Sequence, residues 1–251
     1  MISTMQKVAL VTGSSKGIGQ ATAIRFAKDG YLVYVTYFTD EAGGKSTVTQ
    51  IAQNGGQAKL HYLNVTDEAS VKQIMVDIKE ESDHLDVLVN NAEHDVIKHY
   101  EKLSFDEWKL AIDSKLHGAW LCTINALPLL KKSENANIIM ISSSADERPT
   151  ADILSYATAT AALTSLTKSF AAHLPDHGIR VNAVMPGQTR TANWQGLEND
   201  DALWEKFAKE NPMKRVTTVE DVADAVMIFV NDPHKFLNGN FLFVNGGSHL
   251  K

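Results

Sequence analysis

Strand-like and helix-like runs alternate along this chain from end to end, and that alternation restricts its fold more than any other feature of the sequence. Short apolar, β-branched or aromatic runs occupy residues 7–13, 31–38, 57–65, 85–92, 136–144, 179–187 and 239–247. Helical patterning fills 17–30, 41–56, 67–83, 104–133, 155–178 and 218–232, with Pro128 as a point where the long fourth helix could kink. Nearly continuous apolar strands imply burial on both faces, the environment of a parallel sheet covered by crossover helices. No repeat, linker or low-complexity stretch divides the chain. The expectation is therefore α/β: one doubly wound domain over residues 1–251 with a seven-stranded parallel sheet. Residues 188–216 fit neither pattern, and their Trp194, Trp204 and Phe207 suit a substrate lid, plain packing or a subunit contact.

Composition removes several function classes. The net charge is −6 with no basic cluster, so nucleic acid is not an expected partner. No apolar run reaches the ~18 residues of a membrane span, and the opening "MISTMQKVALVTG" lacks a signal-peptide core. A cytoplasmic protein with no membrane association is expected. The single cysteine, Cys122, excludes an internal disulfide and any cysteine-based metal cluster, and its apolar context reads as a small buried hydrophobe.

The stretch "TGSSKGIG" (12–19) stands between the first strand and the first helix. There Gly13 permits a sharp turn, Gly17 a close approach of backbone to a pyrophosphate, and Gly19 tight packing of helix on strand, with Ser15, Lys16 and Ile18 completing the loop. The free N–H groups of the helix N-terminus would then face the phosphates. This is the dinucleotide signature of a Rossmann-type domain. The second strand ends in "VTYFTD", with Tyr37 where an NAD binder would carry an acidic residue and no carboxylate before Asp40. Together with the positive charge of Lys16, this favours NADP(H) over NAD(H).

The order and spacing of "TGSSKGIG", "NNA" (90–92), "ISS" (141–143), Tyr156 and "PGQTRT" (186–191), continuing to "VNGG" (244–247), resemble the short-chain dehydrogenase/reductases, and in particular the branch that includes the β-ketoacyl-[acyl-carrier-protein] reductases. The resemblance implies an oxidoreductase acting on a small-molecule or acyl carbonyl, assembled as a homodimer or homotetramer. It implies that Ser143 holds the substrate oxygen and that Tyr156 exchanges a proton with it. It places Asn64, Val65, Asn91 and Ala92 along the adenosine side of the cofactor and Pro186, Gly187, Thr189 and Thr191 around the nicotinamide. No metal is implied.

The departures from that pattern matter as much. Where the family carries its active-site lysine, one helical turn after Tyr156, this chain has Thr160, and where it carries an asparagine, this chain has Lys115 in "DSKLHG". "NNA" is followed by Glu93 rather than glycine. A tyrosine with an ordinary pKa of about 10 is only ~0.1% ionised near pH 7, and lowering that pKa by about three would be worth about 4 kcal/mol. Thr160 could bond a cofactor ribose but supplies no charge. Lys168 lies about 18 Å further along the helix and cannot substitute. Lys115, with its long flexible side chain, is the candidate to bring the ammonium from the opposite wall. Reduction tolerates the loss better than oxidation, because it needs the protonated phenol. "EHD" (93–95) could suggest a metal or acid/base site, but three adjacent residues in an extended segment cannot all face one point. Two readings stay open: an NADP(H)-dependent carbonyl reductase with a rearranged catalytic set, and a non-catalytic nucleotide-binding regulatory or structural subunit. A third keeps the pocket for non-redox chemistry.

Overall fold

The computed structural model describes residues 6–194 and 196–250. Seven strands form one parallel sheet in the order β3-β2-β1-β4-β5-β6-β7. They are β1 (Val8–Val11), β2 (Leu32–Tyr37), β3 (Gln57–Tyr62), β4 (Val87–Asn90), β5 (Ala136–Ile141), β6 (Ile179–Pro186) and β7 (Phe241–Val244). The helices are α1 (Gly17–Lys28), α2 (Glu41–Gln53), α3 (Glu68–Ser82), α4 (Phe105–Ile112), α5 (Gly118–Leu130), α6 (Leu154–His173), α7 (Asp201–Glu210) and α8 (Val219–Val230). This is the doubly wound α/β fold expected from the alternation.

The strand interiors divide between two cores. Leu10, Leu88 and Ile138 belong to one, together with Val71, Ile74 and Cys122 from α3 and α5. Their strand neighbours Ala9, Val11, Val89 and Ile139 belong to the other, with Phe26 of α1 and Val226 of α8. Successive strand side chains point to opposite faces, so each central strand must be apolar throughout to feed both layers. Burial pushes the Cys122 thiol up to about 12, as befits a residue used for packing.

The helix ends follow local chemistry. Ser104 and Glu107 form a reciprocal capping box on α4, as Thr218 and Asp221 do on α8, and Asp67 caps α3. One expectation is refined here. Residues 105–130 stay helical as expected, but not as one uniform α-helix: α4 gives way after Ile112 to a π-helical turn over Asp113–His117, and α5 continues from Gly118. Pro128 sits inside α5, which runs on to Leu130, so the irregularity of this helix lies upstream of the proline. Helical periodicity runs unbroken through this stretch, which hides the turn in the sequence. At its end α5 presses against Val65, and a Cβ on Gly118 would lie 2.7 Å from the Val65 side chain. Such turns widen the helix by one residue and recur at functional sites. This one carries Lys115, whose side chain is only 3% exposed.

Candidate active site

The strand order reverses beside β1, and the loops that follow β1 and β4 meet at the C-terminal edge of the sheet, where doubly wound folds bind ligands. Gly13 and Gly17 both adopt left-handed backbone, with φ of +63° and +59°. A Cβ on Gly13 would stand 2.9 Å from the Ala92 Cα, and one on Gly19 2.6 Å from the Asn91 Nδ2. Thr12 ties the two loops together, its hydroxyl accepting the Asn91 and Ala92 N–H groups, each at 2.9 Å. The Asn91 amide donates to the carbonyls of Thr12 and Gly13 at 2.9 and 3.0 Å, so this side chain holds the glycine loop in shape rather than facing a ligand. Ser15 lies beneath the loop, where its carbonyl accepts from the buried Thr47 hydroxyl at 3.5 Å. Lys16 is the residue at the head of α1; it is exposed, in extended backbone, and gives the helix no side-chain cap. The first N–H groups of α1 are thus free of a side-chain acceptor. Ile18 packs on the second core. These residues fit a dinucleotide: uncapped backbone donors at a helix N-terminus reached through a turn of positive-φ glycines.

On the adenosine side, Tyr37 ends β2 and stacks edge-on against Tyr62, with ring centroids 5.9 Å apart. Asp40 accepts the Gly43 N–H at 2.9 Å as the cap of α2. Asn64 accepts from the backbone and hydroxyl of Thr66 at 3.1 and 2.9 Å, and Val65 is packed against α5. On the other side, Pro186 accepts the Ser144 hydroxyl at 3.2 Å, and Gly187 leaves no space for a side chain beside Asn245. The Thr189 hydroxyl donates to the Gly187 carbonyl at 3.0 Å. The Thr191 side chain approaches Gly17 so closely that a Cβ there would lie 3.4 Å from the threonine methyl. The loops after β1, β4 and β6 therefore meet at this edge of the sheet.

The chemistry-bearing side chains converge beside it. Tyr156, in the first turn of α6, has Ser143 beside it, whose Oγ accepts the Ala145 N–H at 3.1 Å. The π turn aims Lys115 across at α6, and its Nζ lies 4.7 Å from the centroid of the Tyr156 ring. The same ammonium is ion-paired with Glu93. Asp95 completes the cluster, its Oδ1 sealed from solvent. Glu93 and Asp95 stand on one side of an extended segment and His94 on the other, its N–H donating to the Ser114 hydroxyl at 2.9 Å. Sequence reasoning missed this convergence by treating the three residues together. Period-two alternation was the available signal.

Electrostatics in this pocket are dominated by burial and by Glu93. Burial, and then the Glu93 carboxylate, raise the Tyr156 pKa above its ordinary value, while Lys115 and the Ser143 hydrogen bond pull the other way and Asp95 adds to the rise. Burial alone would lower the Lys115 pKa, but Glu93, then Tyr156 and Asp95, more than reverse this. Asp95 is raised well above an ordinary carboxyl by burial first and Glu93 second. At neutral pH the cluster thus holds a phenol facing an ammonium.

Thr160, expected to border the cofactor, is 0% exposed, and its Oγ1 is enclosed with no hydrogen-bond partner. Lys168 lies over the ring of Phe241, away from the pocket. In the 188–216 stretch, of which Gln195 lies outside the described residues, Trp194, Trp204 and Phe207 pack on one another at 5.1–5.6 Å between centroids. Among the described residues no group of three His, Cys, Asp or Glu is placed to hold a metal ion, and no helix is long and apolar enough to cross a membrane.

A family profile described as enoyl-(acyl carrier protein) reductase matches residues 13–249. The glucose 1-dehydrogenase 2 of Bacillus subtilis is 33% identical over 97% of this chain and 95% of its own length. The 3-oxoacyl-[acyl-carrier-protein] reductase FabG of Staphylococcus aureus is 32% identical over 98% and 99%. Among solved structures, acetoin dehydrogenase YohF from Salmonella typhimurium superposes with a TM-score of 0.86 at 30% identity, covering 98% of both chains.

Proposed function

The chain belongs to the short-chain dehydrogenase/reductases, a family of nicotinamide-dependent oxidoreductases, and on that premise we propose that it is an NADP(H)-dependent reductase of a carbonyl on a small-molecule or acyl substrate. The observation that carries this reading is the contact of Tyr156 with Ser143 and with the Lys115 ammonium beside the glycine loop. When bound, the reduced nicotinamide would supply hydride to the carbonyl carbon. Gly13, Ser15, Lys16, Gly17, Ile18 and Gly19 would hold its phosphates, Thr191 would close over the loop from above, and Asn91 would keep the loop in shape. Ser143 would orient the substrate oxygen by hydrogen bonding, and Tyr156 would give that oxygen a proton. Burial and Glu93 keep Tyr156 protonated at neutral pH, the form an acid catalyst needs and the form a dehydrogenase base must lose. Lys115 faces the ring and stabilises the tyrosinate that each donation leaves behind, taking the part the family gives to the lysine one turn after its tyrosine.

NADP(H) is preferred in this reading because β2 ends without a carboxylate, Asp40 is occupied as the α2 cap, and Lys16 stands at the phosphate loop. The 188–216 stretch serves as a substrate lid stiffened by its aromatic trio. A cytoplasmic homodimer or homotetramer completes the reading, supported by Leu110, Trp120 and Ile124 exposed on α4 and α5. The relatives named above act on a sugar, an acyl thioester and a small hydroxyketone, so the substrate panel should span all three. The deciding experiment titrates the purified protein with NADPH and NADH by nicotinamide fluorescence and then assays that panel with wild type and K115A. Micromolar NADPH binding with turnover that K115A abolishes supports the proposal. Absence of binding by both nucleotides, or full turnover in K115A, ends it.

A further inference from the structure

Glu93 has no assigned part in the reduction, yet its carboxylate is ion-paired with the Lys115 ammonium. The Lys115 side chain is 3% exposed, and its Nζ lies 4.7 Å from the Tyr156 ring centroid. A lysine carries a strongly hydrated charge on a flexible four-carbon stem. The π turn fixes where that stem begins but not where it ends. An enclosed ammonium also needs a counter-charge, because a buried charge left unpaired is costly. Glu93 supplies both the end point and the counter-charge.

The anchor is itself held on both sides. Before it in the chain, the Ala92 N–H donates to the Thr12 hydroxyl at 2.9 Å. After it, the His94 N–H donates to the Ser114 hydroxyl at 2.9 Å, and Ser114 immediately precedes Lys115 on the π turn. The strap that carries Glu93 is therefore hydrogen-bonded to the turn that carries Lys115.

Other carboxylates nearby are engaged elsewhere. Asp113 of the π turn is paired with Lys109 and His117. Asp146 of the 144–146 turn accepts the Thr164 hydroxyl at 3.2 Å, and Glu107 of α4 pairs with Lys98 at 2.7 Å. Asp95 belongs to the same cluster, but the ion pair with Lys115 is made by Glu93. Three departures from the family pattern meet at this point: a threonine at 160 in place of lysine, a lysine at 115 in place of asparagine, and a carboxylate at 93 in place of glycine. A lysine one turn after the tyrosine would share its helix face, which sets its direction. A lysine arriving from another segment lacks that constraint and needs an anchor.

We propose that Glu93 is a positioning residue that acts through Lys115: it anchors the ammonium against the Tyr156 ring, so that the departures at 93, 115 and 160 amount to one relocated ammonium with its own anchor. Its effect on rate rests on the reductase reading above, whereas the anchoring is a property of the protein alone. With the anchor in place, the tyrosinate left by each proton donation forms beside a fixed positive charge. Without it, the ammonium leaves the ring and that charge is lost to the reacting group.

The test combines steady-state kinetics with the lysine ammonium signals of the protein. NADPH-driven reduction of the best ketone or 3-oxoacyl thioester is followed for wild type and E93Q, which keeps the shape of the side chain and removes its charge. E93Q is expected to lower kcat about tenfold, the loss of one charge-assisted hydrogen bond, with the KM for the carbonyl and the Kd for NADPH unchanged. An unchanged kcat, or a raised KM with kcat retained, overturns the proposal. Independently of turnover, magnetic resonance of protein labelled with 15N-lysine should show one slowly exchanging ammonium, displaced by the ring current of Tyr156 and absent from K115M. In E93Q that signal should vanish or lose its displacement while the remaining lysine signals stay in place. A signal that survives unchanged in E93Q overturns the anchor. So does its absence from wild type, which needs no variant to fold. An E93Q-sensitive signal in a wild-type protein without any turnover supports the anchor and refutes the reductase reading.

Discussion

The glycine loop and the Tyr156 pocket lie at the same edge of one sheet but are built from opposite materials. The loop is backbone and neutral hydrogen bonds: two glycines with positive φ, one position where any side chain would collide with Asn91, and a threonine hydroxyl bridging two strand ends. The pocket is charge: an ammonium, two carboxyls and a phenol brought from three separate segments into a largely dry site. The loop is intolerant of added volume. The pocket is intolerant of an altered charge count. The difference predicts that each region can be broken without breaking the other.

The largest effect is expected from removing the proton donor. Y156F should lower carbonyl reduction by about 10²–10⁴-fold, the usual worth of a positioned acid, while NADPH binding measured by fluorescence stays close to wild type. A variant that keeps its turnover would assign the proton to another group. Next is K115M, which leaves Glu93 facing an apolar side chain. Breaking a buried pair by deleting one partner costs about 3–5 kcal/mol, to be read from urea unfolding at neutral pH. A neutral outcome would show that Lys115 and Glu93 do not interact in solution. G13A attacks the other region. An L-residue in left-handed backbone costs about 1–2 kcal/mol, and the overlap with Ala92 adds about 1–3 kcal/mol. Its signature should be weakened NADPH binding, with the pH dependence of the Tyr156 pocket unchanged. If G13A instead shifts that pH dependence, the two regions are coupled and the contrast fails.

The pH dependence of stability sharpens the contrast further. Asp95 holds its proton to a higher pH in the folded state than an ordinary carboxyl near 4 does in the unfolded chain. Above that unfolded value the native state binds more protons than the unfolded state, so stability falls as pH rises until the folded carboxyl titrates. D95N lacks this term. Its melting temperature relative to wild type should climb as pH rises above about 4, the ordinary carboxyl pKa. A difference that stays flat over that range would mean that Asp95 is not held protonated.

The same contrast explains what could be read from the sequence. The sheet, its strand order class and the glycine loop were legible because each depends on residues that are neighbours in the chain: apolar runs, and glycines at a strand-to-helix turn. Lys115 was nameable as the unusual cation opposite Tyr156, but its route there was not, because the π turn at 113–117 leaves the helical periodicity intact. The pairing of Glu93 with Lys115 was hidden for a different reason. Adjacent charged residues read as a solvated loop until the fold shows which of them turn inward. Asn91 illustrates the limit on the loop side: its place beside the glycines was clear, but the direction of its amide, toward Thr12 and Gly13, is set by strands far apart in the chain.

Thr160 lies one helical turn after Tyr156 on α6, and the smallest expected effect tests whether it serves the cofactor. Its side chain is fully enclosed, and its hydroxyl has no partner. A buried hydroxyl without a hydrogen bond is unfavourable, and exchanging it for a methyl of the same shape can stabilise a core. T160V should therefore raise stability by about 1 kcal/mol and leave NADPH affinity unchanged, because the hydroxyl has no opening toward the cleft. A loss of NADPH affinity instead would show that α6 opens as the nucleotide binds and that Thr160 then bonds it. Position 160 would in that case belong to the cofactor cradle, and Lys115 would be left as the sole charge substitute in the pocket.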